Sequence, residues 1–262
     1  MILDRFRLDG KVAIVTGAGR GIGAGIALAF AEAGADVAVA SRTQKEIDEV
    51  AAQIRALGRR AISVPCDVMQ RAELESLVER TQKELGGVDL VVNNAGGAPW
   101  KPFLQTSERV FEEAYRFNVT SAFLLSRFAV PRLLERGGGA IVNVSSAMGR
   151  VTDRGFSAYG AAKAGLSHLT RLLATELAPR VRVNALAVGA VETSALAPFL
   201  AAEGMREKME SLTPLRRIGQ PEDIGAAAVW LASPAGAWVT GKVIEVDGGQ
   251  ETTNFPLHLP DL

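Results

Sequence analysis

The architecture follows from one run of residues near the N-terminus, Val12-Ala13-Ile14-Val15-Thr16-Gly17-Ala18-Gly19-Arg20-Gly21-Ile22-Gly23. Four β-prone apolar residues lead through glycines into segment 22–33, whose apolar residues have helical spacing. Such a turn lets the backbone approach a pyrophosphate held at the helix N-terminus. The glycine spacing differs from the common G-x-G-x-x-G fingerprint, and tight packing alone would also explain it. Its place after the first strand favours nucleotide binding through Gly17, Gly21, Ile22 and Gly23.

The same alternation of strand and helix continues along the chain. Short apolar runs predict strands at 12–15, 37–40, 61–64, 88–92, 140–144, 181–186 and 243–246. Helical spacing is found at 22–33, 44–57, 71–85, 109–136, 158–177 and 221–231. This order indicates βαβ units and a parallel sheet covered on both faces. No linker or repeat interrupts it, so we predict one Rossmann-type, doubly wound α/β domain over residues 1–262, with a seven-stranded parallel sheet.

Composition excludes several classes of function. Lys+Arg and Asp+Glu are both 29, so nothing indicates nucleic acid or an anionic membrane as partner. Cys66 is the only cysteine, which fits a reducing compartment. The start lacks the apolar core of a signal peptide, and no run reaches the roughly 18 apolar residues of a membrane span. We expect a soluble, cytoplasmic protein with a small-molecule substrate.

The tip of the second strand bears on the choice of dinucleotide. An acidic residue about 20 positions after the glycine turn would bind the ribose 2′-hydroxyl and indicate NAD. This strand ends instead in Ser41-Arg42, while Asp36 lies at its opposite end. Arg20 and Arg42 suit a phosphate dianion, although both could equally be solvated surface residues. We predict that NADP(H) is preferred and that NAD(H) remains possible.

Two further strand ends point to the same crevice. The third strand ends in Cys66-Asp67-Val68, where Asp67 could either meet an adenine amine or cap the helix that begins near residue 71. The fourth ends in Asn93-Asn94-Ala95-Gly96-Gly97. These small residues either form a simple turn or leave space for a cofactor.

Tyr159 and Lys163 are four residues apart in an alanine-rich, helix-prone run, so they share one face with Cβ atoms about 5–6 Å apart. A neighbouring ammonium lowers a phenol's pKa from about 10 toward the operating pH, where general acid–base catalysis works best. A hydroxyl from Ser145-Ser146 could hold a substrate oxygen. In isolation such a pair is typical of a helix surface, so the assignment depends on the rest of the site.

Together these motifs resemble the short-chain dehydrogenase/reductase family. The likeness rests on Thr16-Gly17-Ala18-Gly19-Arg20-Gly21-Ile22-Gly23, Asn93-Asn94-Ala95-Gly96, Tyr159-x-x-x-Lys163 and Ser146, thirteen residues before the tyrosine. It runs from about Leu8 to Gly249. Four motifs in order at family spacing are very specific.

The resemblance implies a role for each matching residue. Tyr159 would be the general acid or base, Ser146 would orient the substrate oxygen, and Lys163 would hold the nicotinamide ribose. Asn118 would keep a water in the proton relay. Val191 and Thr193, after Gly189, would meet the carboxamide of the nicotinamide. The family usually has Pro-Gly where this chain has Val188-Gly189, a change expected to loosen the loop beyond it.

The substrate region is predicted from segments near the carboxyl ends of these strands. Segment 193–212 corresponds to the family's substrate lid, although an amphipathic surface helix would look similar. Six large apolar side chains are expected to line an apolar pocket: Trp100, Phe103, Met148, Phe156, Leu196 and Phe199. Such a pocket suits a lipophilic ketone or secondary alcohol.

Within the family the chain is most similar to bacterial 7α-hydroxysteroid dehydrogenases and related actinobacterial reductases. That likeness rests on Asn93–Gly97 with Lys101-Pro102-Phe103, on segment 213–224 and on Ser233-Pro234-Ala235. A 3-oxoacyl-thioester reductase or a sugar dehydrogenase remains an alternative. A non-catalytic NAD(P)-binding regulatory protein is the alternative from another class, although the complete Ser–Tyr–Lys set favours an enzyme.

Helical segments 109–136 and 158–177 carry more apolar positions than one sheet face needs. In the family such helices pair across a two-fold axis, so a homotetramer is expected. The tail, 251–262, with Pro256 and Pro260, is predicted to be an extended arm on a neighbouring subunit or near a pocket. His168 and His258 are too few and too scattered for a zinc site, and no metal is expected.

Overall fold

The computed structural model describes residues 1–256 and 259. Its seven strands are β1 Val12–Thr16, β2 Asp36–Ser41, β3 Ala61–Pro65, β4 Leu90–Asn93, β5 Gly139–Ser146, β6 Val181–Val188 and β7 Val243–Val246. They form a single sheet in the order β3-β2-β1-β4-β5-β6-β7, and every neighbouring pair is parallel. The predicted fold class and strand number are confirmed.

Helices cover both faces of the sheet. They are α1 Gly21–Glu32, α2 Gln44–Ala56, α3 Arg71–Leu85, α4 Glu108–Tyr115, α5 Ser121–Glu135, α6 Ser157–Leu177, α7 Ala197–Leu200, α8 Met205–Leu212 and α9 Pro221–Ala232. Successive strand residues point to opposite faces. Ala13 and Val15 therefore pack with α1, α2 and α9, whereas Val12 and Ile14 pack with α3, α5 and α6. Because both faces are buried, the strands read as continuous apolar runs.

The helix expected over 109–136 is interrupted, which corrects that prediction. α4 passes into a π-helical turn at Arg116–Thr120, and only then does α5 begin. Within this turn the Asn118 amide donates to the carbonyls of Ala114 and Gly97, both at 2.8 Å, and accepts from the Gly97 N–H at 2.9 Å. These bonds tie the turn to the loop after β4, and π turns of this kind often occur at functional sites.

The strand order reverses at β1, which pairs with β2 on one side and β4 on the other. In open α/β sheets, ligands bind outside the carboxyl ends of the strands at such a switch point. The loops after β1, β2, β3, β4, β5 and β6 all border a groove of about 550 Å³ at this edge. The fold therefore places the candidate ligand site at the carboxyl ends of the strands.

Candidate active site

The glycine turn after β1 is held against the loop after β4. The Asn94 amide donates to the carbonyls of Thr16 at 2.9 Å and Gly17 at 3.1 Å. A Cβ on Gly23 would lie 2.2 Å from the Gly17 oxygen, so no larger residue fits without moving the turn. α1 then begins at Gly21, without a side-chain hydrogen bond from its N-cap, Arg20. Its first N–H groups meet the groove, as anion binding at a helix N-terminus requires.

Ser41, Arg42 and Arg20 border the same end of the groove. Arg20 is paired with Glu46 of α2 at 3.3 Å, so an acidic residue lies close to the predicted phosphate site. The Glu46 side chain and the Ser41 hydroxyl each lie 2.9 Å from the point that a Cβ on Gly19 would occupy. This carboxylate was missed by sequence reasoning, because it comes from the first turn of a helix rather than from a strand tip. Asp36 is at the other end of β2, paired with Arg59 and Arg60.

Asp67 and Val68 also border the groove. The Asp67 carboxylate accepts a hydrogen bond from the Met69 N–H at 3.0 Å, whereas the N-cap of α3 is Gln70. Asp67 therefore fixes the turn before α3 and is not itself its cap. Asp67 nevertheless borders the groove, as the predicted adenine contact requires.

The two asparagines at the end of β4 have separate roles. Asn93 is buried, and its amide donates to Asn143 of β5 at 2.8 Å and to Ser126 of α5 at 3.2 Å. Asn94 secures the glycine turn described above. Ala95 and Gly96 then border the groove, and a Cβ on Gly96 would lie 2.5 Å from Asn118 Oδ1 and 3.0 Å from Lys163 Nζ. The absence of a side chain there lets these two polar groups approach each other.

α6 carries Tyr159 and Lys163 to the groove, beside Ser146 at the end of β5. A hydrogen bond joins Ser146 and Tyr159. The Lys163 ammonium donates to the Val144 carbonyl at 2.8 Å and lies 5.7 Å from the centre of the Tyr159 ring. Ser145, the neighbour on the opposite face of the strand, instead bonds to Ser167 at 2.8 Å and to the Lys163 carbonyl at 3.1 Å. The structure thus brings a serine hydroxyl, a phenol and an ammonium together.

The expected lowering of the tyrosine pKa is wrong for this structure. Burial raises the pKa of Tyr159 above its ordinary value, and the hydrogen bond with Ser146 opposes that rise. Burial also lowers the pKa of Lys163 from 10.5 to about 8. The reason in both cases is that a low-dielectric surrounding disfavours the charged form. At neutral pH the phenol is accordingly a neutral proton donor.

The loop after β6 also lines the groove. Gly189, Val191 and Thr193 border the groove, and a Cβ on Gly21 would lie 3.1 Å from the Thr193 methyl. The loop is held by backbone bonds between Gly219 and both Ala190 and Glu192. The loosening expected from the missing proline stays a prediction, which these two bonds oppose.

Four of the predicted substrate-pocket residues border the groove: Trp100, Phe156, Leu196 and Phe199. Met148 and Phe103 do not. Met148 sits in the tight turn after β5, where its carbonyl faces Gly160 of α6, and Phe103 is 70% exposed. The groove instead gains Phe255 from the C-terminal tail. No periodicity or motif in the sequence marks that residue.

Within the described part of the tail, Phe255 borders this pocket, in agreement with one of the two predicted placements. Pro260 and His258 lie outside the described residues. Within residues 1–256 and 259, no group of three or more His, Cys, Asp or Glu side chains is placed to hold a metal ion. None of the helices in that same part combines the length and apolar character that crossing a bilayer requires.

Comparison with known proteins adds to this geometry. A protein family described as enoyl-(acyl carrier protein) reductase matches residues 17–251. An uncharacterized oxidoreductase of Mycobacterium tuberculosis is 55% identical over the whole of both chains. The 7α-hydroxysteroid dehydrogenase of Escherichia coli K12 is 42% identical over 94% of this chain and 96% of its own. A short-chain dehydrogenase/reductase of Arabidopsis thaliana is 38% identical over 93% of this chain and 95% of its own.

Solved structures agree with these relatives. A 7α-hydroxysteroid dehydrogenase complexed with NADH and 7-oxo glycochenodeoxycholic acid superposes with a TM-score of 0.91. It is 42% identical, over 94% of this chain and 96% of that one. A short-chain type dehydrogenase/reductase from Mycobacterium marinum superposes with a TM-score of 0.89 at 37% identity, over 95% and 98%.

Proposed function

Since the chain belongs to the short-chain dehydrogenase/reductase family, we propose that this oxidoreductase transfers a hydride between NADP(H) and a lipophilic ketone or secondary alcohol. The observation that best supports this proposal is that Ser146, Tyr159 and Lys163 lie together at one end of the groove. The glycine turn, Arg20 and Arg42 lie at its other end. The residues present fit a dinucleotide, because α1 offers unbonded N–H groups to a pyrophosphate.

In the proposed reaction a bound nicotinamide supplies or accepts the hydride, and the chain handles the proton. Ser146 holds the substrate oxygen by a hydrogen bond. Tyr159, kept neutral by burial, donates its proton to that oxygen during reduction and accepts one during oxidation. Lys163 places a positive charge close to the phenolate that donation leaves behind. Asn118 shapes the π turn beside Lys163, where a water would connect the ammonium to solvent.

The preference for NADP(H) is supported by Arg42, Arg20 and Ser41 at the adenosine end of the groove. β2 ends without a carboxylate, so a ribose hydroxyl lacks the acidic partner typical of NAD enzymes. Glu46 works against this preference, because it occupies one arginine and carries a like charge. We expect kcat/KM and Kd both to favour NADPH over NADH. A protein that binds NADH more tightly would contradict this part of the proposal.

A lipophilic substrate is supported by the aromatic and aliphatic lining of the pocket next to Tyr159. Trp100, Phe156, Leu196 and Phe199 line the same groove as Ser146 and Tyr159, and the Phe156 ring lies 6.4 Å from that of Tyr159. Apolar lining with a few polar groups suits a lipophilic ligand. A panel of steroid ketones, 3-oxoacyl thioesters and sugars, assayed by NADPH oxidation, tests this class. A strong preference for sugars would refute it.

We also propose that the protein is a cytoplasmic homotetramer. Exposed apolar side chains cluster on the helices expected to pair: Phe111 and Tyr115 on α4, Phe123 on α5 and Leu172 on α6. Trp238, shortly before β7, is fully exposed. Burying such residues between copies would remove apolar surface from water. Light scattering coupled to size exclusion should give four times the chain mass, and a monomer mass would contradict the proposal.

The central test of the proposed function is Tyr159→Phe. The substitution removes the donated proton but keeps the ring, so we expect kcat to fall by at least about 100-fold while the Kd for NADPH stays within about twofold. Tyr115→Phe is the matched control, since Tyr115 is the other of the chain's two tyrosines and lies outside the groove. Full activity in Tyr159→Phe would exclude the mechanism.

A further inference from the structure

The C-terminal strap, residues 250–255, crosses the substrate end of the groove. Its last residue, Phe255, sits between two walls that come from different parts of the chain. The Phe255 ring meets Phe199 of α7 with centroids 5.0 Å apart and planes at 69°, and it meets Phe156 at 5.7 Å and 89°. Phe156 in turn lies 6.4 Å from the Tyr159 ring. Two edge-to-face contacts and one tilted contact thus connect the lid to the proton donor.

The strap is fixed on the lid side by a buried amide. Asn254 donates to the Thr213 hydroxyl at 2.9 Å, and these two residues are 6% and 3% exposed. Thr213 comes directly after α8 and donates to the Met209 carbonyl at 2.9 Å. Because an unpaired buried amide costs free energy, this bond sets the position of the residue next to Phe255.

On the opposite side the strap is fixed to the loop between β5 and α6. Thr253 donates to the Asp153 carboxylate at 2.8 Å and accepts from the Phe255 N–H at 3.1 Å. Arg150 of the same loop pairs with Glu251 at 3.0 Å and also donates to the Gln250 carbonyl. The backbone of Phe255 is therefore anchored from two directions, which distinguishes it from a loosely packed tail.

The strap narrows the space that a substrate can occupy. Phe255 borders the groove together with Phe156 and Phe199, so these three rings limit the space beside Ser146 and Tyr159. Aromatic edges and faces pack well against a flat hydrocarbon ring. Because packed side chains leave little free volume, a pocket bounded by these three aromatic side chains also excludes a larger substrate.

We propose that Phe255 is a specificity-determining residue, which closes the substrate pocket within the same chain and selects small, single-ring ketones or alcohols over large fused-ring ones. Asn254 is its positioning residue. The proposal rests on the proposed function, since it concerns the substrate of that site. Truncation of the ring in Phe255→Ala removes a contact from a small ketone and makes room for a large one.

The test compares two ketones that share a reacting group and differ in size, cyclohexanone and a four-ring steroid ketone. With NADPH-loaded protein, the ratio of kcat/KM for cyclohexanone to that for the steroid is expected to fall by at least about 10-fold in Phe255→Ala, a size typical of apolar pockets. Asn254→Ala should move the ratio in the same direction by about threefold or more. Phe255→Leu, which keeps apolar bulk, should show a smaller fall.

Phe6→Ala is the matched control, because Phe6 is also partly exposed but lies in the N-terminal turn away from the groove. It should leave the ratio unchanged. The NADPH Kd and the melting temperature of each variant show whether the cofactor site and the fold are intact. A ratio within about twofold of wild type in both Phe255 variants overturns the proposal.

A second readout separates this inference from the proposed function. If the wild type turns over neither ketone, the proposed function fails, and the same ratio is then taken from Kd values measured by titration calorimetry. A changed Kd ratio in Phe255→Ala supports the strap as pocket wall in that case. An unchanged ratio, or no binding of either ketone to the wild type, overturns it.

Discussion

Replacing Lys163 by methionine should remove a pH dependence from the stability of the cofactor-free protein. The side chain is 4% exposed, and burial lowers its pKa from 10.5 to about 8. Between those two pH values the unfolded chain holds a proton that the folded chain has released. Folding therefore becomes more favourable as pH rises through this window. At neutral pH the buried ammonium opposes folding.

The magnitude is set by the two pKa values. The full penalty for the buried ammonium is about 3 kcal/mol, and about 2 kcal/mol of it is relieved between about pH 7 and pH 9.5. The penalty obtained in this way is a net value, so it already includes the 2.8 Å hydrogen bond from Nζ to the Val144 carbonyl, which favours the ammonium. The methionine variant is free of this titration, because its side chain carries no ionisable group.

Urea unfolding at a series of pH values measures this effect. The free energy of unfolding of the wild type minus that of Lys163→Met should rise by about 2 kcal/mol from about pH 7 to pH 9.5. The matched control is Lys45→Met, since that side chain is 87% exposed, and its difference from the wild type should be flat. A flat difference for Lys163→Met as well, or one that falls with pH, would refute the reasoning that burial controls this ammonium.

Two other substitutions test the cofactor site and the packing of β6. Glu46→Gln removes the carboxylate that pairs with Arg20 at 3.3 Å. The Kd for NADH divided by the Kd for NADPH, measured by fluorescence titration, should therefore rise by about threefold, which is the scale of an exposed ion pair. A lower ratio than in the wild type would contradict a phosphate site beside Arg20. Arg182→Met removes the half-buried guanidinium that donates to the carbonyls of Leu231 at 2.6 Å and Gly236 at 2.9 Å. Urea unfolding should show a loss of about 2–4 kcal/mol, whereas a loss below about 0.5 kcal/mol would mean that water replaces the guanidinium.

Much of the fold could be predicted from the sequence, because the alternation of apolar strands and helical segments is a local signal. α3, for example, begins and ends at the predicted residues, Arg71 and Leu85. The interruption at Asn118 could not be predicted in this way. Its amide bonds to Gly97, 21 residues earlier, and a contact of that range leaves no trace in helical periodicity.

The candidate site divides along the same line. Motif spacing placed Ser146, Tyr159 and Lys163 together, because residues at strand ends and on one helix face meet by geometry alone. It gave the wrong direction for the tyrosine pKa, since spacing says nothing of burial. Phe255 was out of reach for another reason: its role depends on a tail that folds back over the pocket, and that return is fixed by side-chain bonds such as Asn254 to Thr213.

Buried charged side chains have different partners at the two edges of the sheet. At the amino ends of the strands, buried Asp36 and Asp89 are each paired with two cations, so their charges are satisfied within the chain. At the carboxyl ends, Lys163 is buried with carbonyl oxygen as partner and has no carboxylate beside it in the described part of the chain. An ammonium left in that condition costs stability, and a ligand that brings oxygen atoms to it lowers the cost. Ligand binding at the carboxyl edge is therefore expected to stabilise the fold in part by relieving the cost of this buried ammonium.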